Sequence, residues 1–178
     1  MSWQIQIIQA KPNPSGKDRS RYGANPTQLL GEWVDLKNLG DTDVHVSCLH
    51  LAHREFDGQC RPTSTSPSIY WTGGGSDVLR PGQTVRVHTG NLSNFGQMTQ
   101  ADKLGMDFHS YADRSSFVLN NKCGDDLSVW WKTNDDKWQK EDSASYDPLP
   151  PEGAVLVRSG QKLIVTQVTG IRTQNYAR

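Results

Sequence analysis

The chain has 178 residues, enough for one domain with its own core and a squeeze for two. Its 19 basic and 19 acidic side chains cancel, which argues against charge-driven disorder and against a general nucleic-acid role, since phosphate binding relies on clustered excess Lys and Arg. No run approaches a membrane span, and MSWQIQIIQAKPNP lacks the basic start and apolar stretch of a signal peptide.

In chain order, Trp3, Ile5 and Ile7 alternate with Gln4 and Gln6, the period-2 mark of a half-buried strand. Residues 11–31 carry Pro12, Pro14, Gly16, Gly23 and Pro26 without helical period and predict a long loop. Next, Val34 and Leu36 oppose Asp35 and Lys37, and Asn38 to Asp41 supplies turn chemistry. In DVHVSCLHLAH, Val44 and Val46 fall at even positions, Leu49 and Leu51 at odd ones. That phase change predicts a β-bulge at Ser47-Cys48.

Residues 54–75 are rich in turn formers, and LRPGQTVRVHTG reads as a Pro-Gly turn feeding a strand with Val85 and Val87 inward. A second polar segment, 91–114, shows no period. FVLNNKCGDDLSVWW predicts two short strands broken at 120–125, and Asn134-Asp135-Asp136 a turn. The tail predicts a hairpin of AVLVR, Ser159-Gly160 and QKLIVTQV, reaching Val168. Its near-continuous apolar runs, Ala154 to Val157 and Leu163 to Val165, call for cover on both faces. A lone ribbon is marginal in water, so the expectation for this hairpin is docking on the sandwich, with the strand of residues 3–8 as one candidate neighbour, and edge pairing with another chain is the alternative. Many short strands without an amphipathic helix predict a sandwich or barrel with Val34, Leu36, Val46, Leu49, Leu51, Val85, Val87, Leu127 and Val129 in one core.

A first set of residues, Gly31-Glu32-Trp33-Val34, Asn38, Gly40, Val44, Val46, Ser47, Leu49 and Leu51, is followed by Leu79-Arg80-Pro81-Gly82-Gln83, Asn120 to Asp125 and Asp142-Ser143-Ala144-Ser145-Tyr146. In this order they resemble the opening strands, the later turns and the closing strand of the lamin tail domain. Cys48-Leu49 replaces the family's Gly-Trp pair. The resemblance implies an all-β, immunoglobulin-like β-sandwich with long loops over residues 1–148, in the manner of bacterial stand-alone members. Residues 149–178 are then an extra C-terminal β-hairpin docked on the same domain. It also implies a non-enzymatic structural or interaction module, an adaptor whose partner is a protein; fold alone does not name that partner.

The residues themselves offer four candidate chemistries. His45, Cys48, His50 and His53 are potential zinc ligands within nine residues, the basis of a rival reading as a metal-dependent enzyme. Strand neighbours on one face splay about 7 Å apart and no CxxC or HExxH is present, so surface histidines, with no metal and no cofactor, are the expectation. Cys123 beside Lys122 is a candidate low-pKa thiol without an identifiable base. Asp125-Asp126 and Asp135-Asp136 point to opposite faces if on strands and do not converge on one bond. Cys48, Cys60 and Cys123 form an odd, irregular set that implies no disulfide framework, which gives a reduced, cytoplasmic protein as the expectation. Trp130 and Trp131 face opposite sides of any strand. Trp71, Trp131 and Trp138 are the candidate platform for a carbohydrate or single-stranded nucleic acid, set against their burial under the long loops.

Overall fold

The computed structural model describes residues 4–92, 96–133 and 135–166; Trp3, Asn134 and the hairpin's expected end at Val168 lie outside the described residues. The chain runs β1 (Ile5–Lys11), β2 (Arg19–Ser20), β3 (Gly23–Ala24), α1 (Pro26–Gly31), β4 (Trp33–Asn38), β5 (Val44–His45), β6 (Leu49–His53), β7 (Ser68–Thr72), β8 (Val78–Leu79), β9 (Thr84–His88), β10 (Phe108–Tyr111), β11 (Asp125–Lys132), β12 (Trp138–Tyr146), β13 (Leu156–Ser159) and β14 (Lys162–Val165). The largest sheet has the order β10-β9-β4-β1-β13-β14-β12-β11-β6-β7. It folds over so that β1 packs on β11 and β12, and the indole Nε1 of Trp71 on one edge strand donates to Ser110 Oγ on the other at 3.0 Å. The architecture is all-β and sandwich-like.

The alternation of apolar side chains builds the core. All nine residues expected there are buried in one cluster, joined by Ile5, Ile7, Tyr70 and Trp71. The phase change at Ser47-Cys48 is real, but its cause is a 3-10 turn over Val46–Cys48 instead of a bulge. The turn lets the chain switch partners: β5 pairs with β8, whereas β6 pairs with β7 and β11. Gly73 makes this possible, because a Cβ there would lie 1.8 Å from the Val46 carbonyl oxygen.

Two expected loops hold structure of their own. Within 11–31, Asn25 accepts the Thr27 N–H at 3.0 Å and Pro26 opens α1, a favoured pairing of cap and first residue; its six residues are too few to show a period. Within 91–114, β10 adds to β9 in parallel. Conversely, the first of the two strands expected from FVLNNKCGDDLSVWW is absent: 117–119 is irregular, and the Val118 and Leu119 N–H groups donate to the Glu32 carboxyl instead of to a ladder. The cysteine expectation is also corrected, since Cys60 and Cys123 form a disulfide and Cys123 holds no free thiol. Closing a loop of 63 residues constrains the unfolded chain by an estimated ~4 kcal/mol.

The C-terminal hairpin joins the two halves of the sheet. β13 pairs with β1 at Gln9↔Val157 and Ala10↔Leu156, while β14 meets β12 only at Ser145↔Lys162. Arg158 locks the junction, donating to both Asp142 oxygens at 2.9 and 3.0 Å and to the Ile7 carbonyl at 3.1 Å. Leu156 and Leu163 are buried, but Ile164 and Val165 are exposed, so the ribbon is covered only in part.

The two halves differ on their outer faces. Outside β1, β4 and β9 lies a second, polar interior. Arg86 donates to both Asp35 oxygens at 2.6 and 2.7 Å and lies 3.5 Å over the Trp33 ring. Its remaining nitrogen, Nη1, holds the Asp102 and Leu104 carbonyls at 3.1 Å. Asp102 in turn accepts from Lys11 Nζ, Trp33 Nε1 and Thr99 Oγ1 at 2.6–2.8 Å; these donors outweigh its burial and hold its carboxyl below the usual range. His88 donates from Nδ1 to Leu30 O and accepts from His109 at Nε2; burial pushes it down to about 4, so the ring is neutral. Segment 97–107 and α1 are thereby fastened over this face.

Two predictions follow from these buried groups. Asp35→Ala leaves Arg86 buried without its carboxylate and should cost about 3–5 kcal/mol in urea unfolding, whereas replacing both partners by apolar residues should cost less. Burial pushes Glu32 up to about 8 from 4.5, so between those values the folded chain holds a proton that the unfolded chain has lost. Stability should therefore fall as pH rises through this window, by up to about 1.4 kcal/mol per pH unit. Glu32→Gln should remove that component of the slope in unfolding curves recorded from pH 5 to 8.

Candidate binding site

Among the described residues, nothing covers the outer face of β7, β6, β11 and β12 in the same way. On β11, Leu127 and Val129 point into the core, so Asp126, Ser128, Trp130 and Lys132 point outward by strand alternation. Opposite them on β12 stand Ser145, Ser143, Lys140 and Trp138. A register shift between Val129 and Trp130 in this pairing skips one residue of β12, and so puts Lys140 and Trp138 on the same face as Ser143. From β6 and β7 come His50 and Thr72, neighbours in the ladder, which share a hydrogen bond at 3.0 Å.

Two tryptophans are fixed on this face. Trp130 donates from Nε1 to Ser128 Oγ at 2.8 Å. The Trp138 ring meets His50 edge-on at 4.7 Å and lies 5.2 Å from the Lys132 ammonium, yet it stays 45% exposed. Partial burial, followed by the nearby Lys132 charge, lowers His50 and keeps its ring neutral at pH 7. Trp130, Trp138, Pro67 and Ile69 enclose an apolar slot of about 240 Å³. Pro67 and Trp130 also border a polar groove of about 490 Å³, whose lining includes Arg54, Asp126, Lys140, Ser143, Ser145, Gln161 and Lys162.

The expected platform is thus placed differently. Trp138 belongs to it. Trp131 does not: it shares the phase of Leu127 and Val129 and lies on the core side, half-buried, while Trp130 takes the outer position. Trp71 is buried against the core at 2% exposure, opposite Leu51. The signal for Trp130 was present in the sequence, because placing Leu127 and Val129 in the core fixes the phase of the whole strand. The signal for Trp71 was hidden, because a register shift between β6 and β7 lets Tyr70 and Trp71 both be buried.

His45, Cys48, His50 and His53 do not come together. His45 and Cys48 are exposed on β5 and the 3-10 turn, and His50 bonds Thr72. His53 bonds Asp125 at 3.2 Å and packs edge-on against Tyr70. Among the described residues no group of three or more His, Cys, Asp or Glu side chains is placed to hold a metal ion. Asp125 is buried and accepts from Arg54, Asn120 and Asp126 N–H groups, while Asp126 lies in the groove. No helix among the described residues is long and apolar enough to cross a membrane.

No protein-family model matches the chain, and no curated protein is found to be similar to it. The face is therefore interpreted from its own geometry.

The two kinds of tryptophan separate by stability. Trp71→Ala should cost about 3–5 kcal/mol through cavity formation, whereas Trp138→Ala should cost about 1 kcal/mol or less, as read from chemical denaturation of each variant.

Proposed function

We propose that the chain is a non-enzymatic binding module that engages its partner on the outer face of β7, β6, β11 and β12. One observation carries this reading: two tryptophans are held in fixed orientations on a solvent-facing sheet, one of them 45% exposed. Large apolar side chains exposed together mark interaction surfaces, and rings fixed in advance lose little freedom on binding. The lamin tail resemblance supports the same class, with an immunoglobulin-like sandwich serving as an adaptor. A protein partner would use the slot as an anchor, and a glycan would use it as a stacking platform. The balanced charge of 19 against 19 speaks against a nucleic acid.

The rival reading as a metal-dependent enzyme has less support, because its four expected ligands are dispersed over β5, a turn and two ends of β6. The cytoplasmic expectation stands against the Cys60–Cys123 bridge, and we favour an oxidising compartment, where such bonds persist.

The test is a comparison of the wild-type chain with a Trp130→Ala/Trp138→Ala variant, both immobilised and exposed to arrays of glycans, peptides and proteins. Ligands retained by the wild type should be lost from the variant. Retention of the same set by both would reject this face as the binding surface.

A further inference from the structure

We propose that the ligand of this face is a neutral saccharide chain, with pyranose rings stacked on Trp138 and Trp130 and their hydroxyls read by the polar groove alongside. The proposal rests on the reading of this face as the binding surface. A pyranose has an apolar C–H face and a rim of hydroxyls, each of them both donor and acceptor. Its site needs a flat aromatic surface next to side chains that offer donors and acceptors in close alternation.

Both halves are present and contiguous. The slot supplies ring surface and shares Pro67 and Trp130 with the groove. The floor then sets Arg54, Asp126, Ser143, Ser145 and Gln161 within one concavity, three of them on paired strands whose backbone fixes their spacing. Arg54 Nε and Asp126 Oδ2 stand 3.9 Å apart, outside hydrogen-bond distance. They present a donor and an acceptor side by side, as two neighbouring hydroxyls require.

The distribution of charge distinguishes this ligand from others. Of the charged lining, Arg54, Asp126, Lys140 and Lys162, Lys162 is paired with Asp147 at 2.8 Å and Arg54 faces Asp126 at 3.9 Å, so the excess is the single positive charge of Lys140. A polyanion would need a clear cationic excess. A protein interface has an apolar centre depleted of charge and a polar rim; here the larger concavity is polar and charged, and the apolar slot is the smaller one beside it. A hydroxyl-rich, uncharged polymer fits both halves.

Isothermal titration of the full chain with β-linked hexasaccharides of glucose, N-acetylglucosamine and xylose tests the proposal. At least one should bind with a Kd on the order of 10⁻⁴ M. Trp138→Ala and Trp130→Ala should each weaken it at least about tenfold, with circular dichroism unchanged. Ser143→Trp, which fills the groove floor and leaves both platform rings in place, should weaken it too. Tyr22→Ala, at a 90% exposed aromatic that lines neither hollow, should bind as the wild type does. Absence of binding to all three sugars, or binding as tight as the wild type's by the Trp138→Ala and Ser143→Trp variants, would overturn the saccharide assignment. If the arrays meanwhile show peptides or proteins lost from the double variant, the face stands as a binding surface with a different ligand; if nothing is lost, both readings fall.

Discussion

The bidentate pair between Arg86 and Asp35 decides which side of this sandwich meets solvent. Alternation along a strand gives each layer of the sheet two faces, and only one of them can join the shared apolar core. On β4 and β9 the other face carries a guanidinium and a carboxylate that are almost wholly buried. Such a pair is tolerable only when its remaining hydrogen-bonding capacity is met. Arg86 meets it by holding the Asp102 and Leu104 carbonyls, and Asp102 by gathering Lys11, Trp33 and Thr99. The segment that satisfies the pair is thereby the lid of that face, and the same arrangement explains why a long polar stretch packs closely over a sheet.

Among the described residues, no comparable cluster covers β11 and β12. Their outward positions alternate hydroxyl, charged and aromatic side chains, and the rings are steadied by local contacts: Ser128 for Trp130, His50 and Lys132 for Trp138. An exposed indole that served only packing would gain more from burial. On the proposed reading, fixing it on the surface favours a ligand, because the ordering is complete before binding. The hairpin of β13 and β14 adds to this side by contributing Gln161 and Lys162 to the groove, so a segment that first reads as an appendage both ties the sheet together and completes the concavity.

Much of the fold was legible from period-2 alternation, because the pleat enforces it locally: Val34, Leu36, Val85, Val87, Leu127 and Val129 all point inward. What escaped was non-local. The pairing of Cys60 with Cys123 depends on two loops meeting across 63 residues. The burial of Trp71 depends on a register shift that only its neighbour β6 defines. Helix α1 is shorter than two turns and leaves no period to read. The candidate face was legible in part: the outward position of Trp130 follows from the core assignment of Leu127 and Val129, whereas the placing of Lys140 and Trp138 beside it depends on the shifted pairing of β11 with β12. His45, Cys48, His50 and His53 are close in sequence yet apart in the fold, because alternation along a strand disperses side chains as often as it gathers them.

On the proposed reading, ligands meet this chain at Trp130 and Trp138 and not at its other indoles. Two-dimensional nitrogen–proton spectra of the labelled protein, recorded during titration with a β-linked hexasaccharide, read each indole N–H separately. The Trp130 and Trp138 signals should move together and saturably, while those of Trp33, donating to Asp102, and of Trp71, donating to Ser110, stay in place. Shifts confined to Trp33 or Trp71, or saturable shifts elsewhere with Trp130 and Trp138 unmoved, would contradict it.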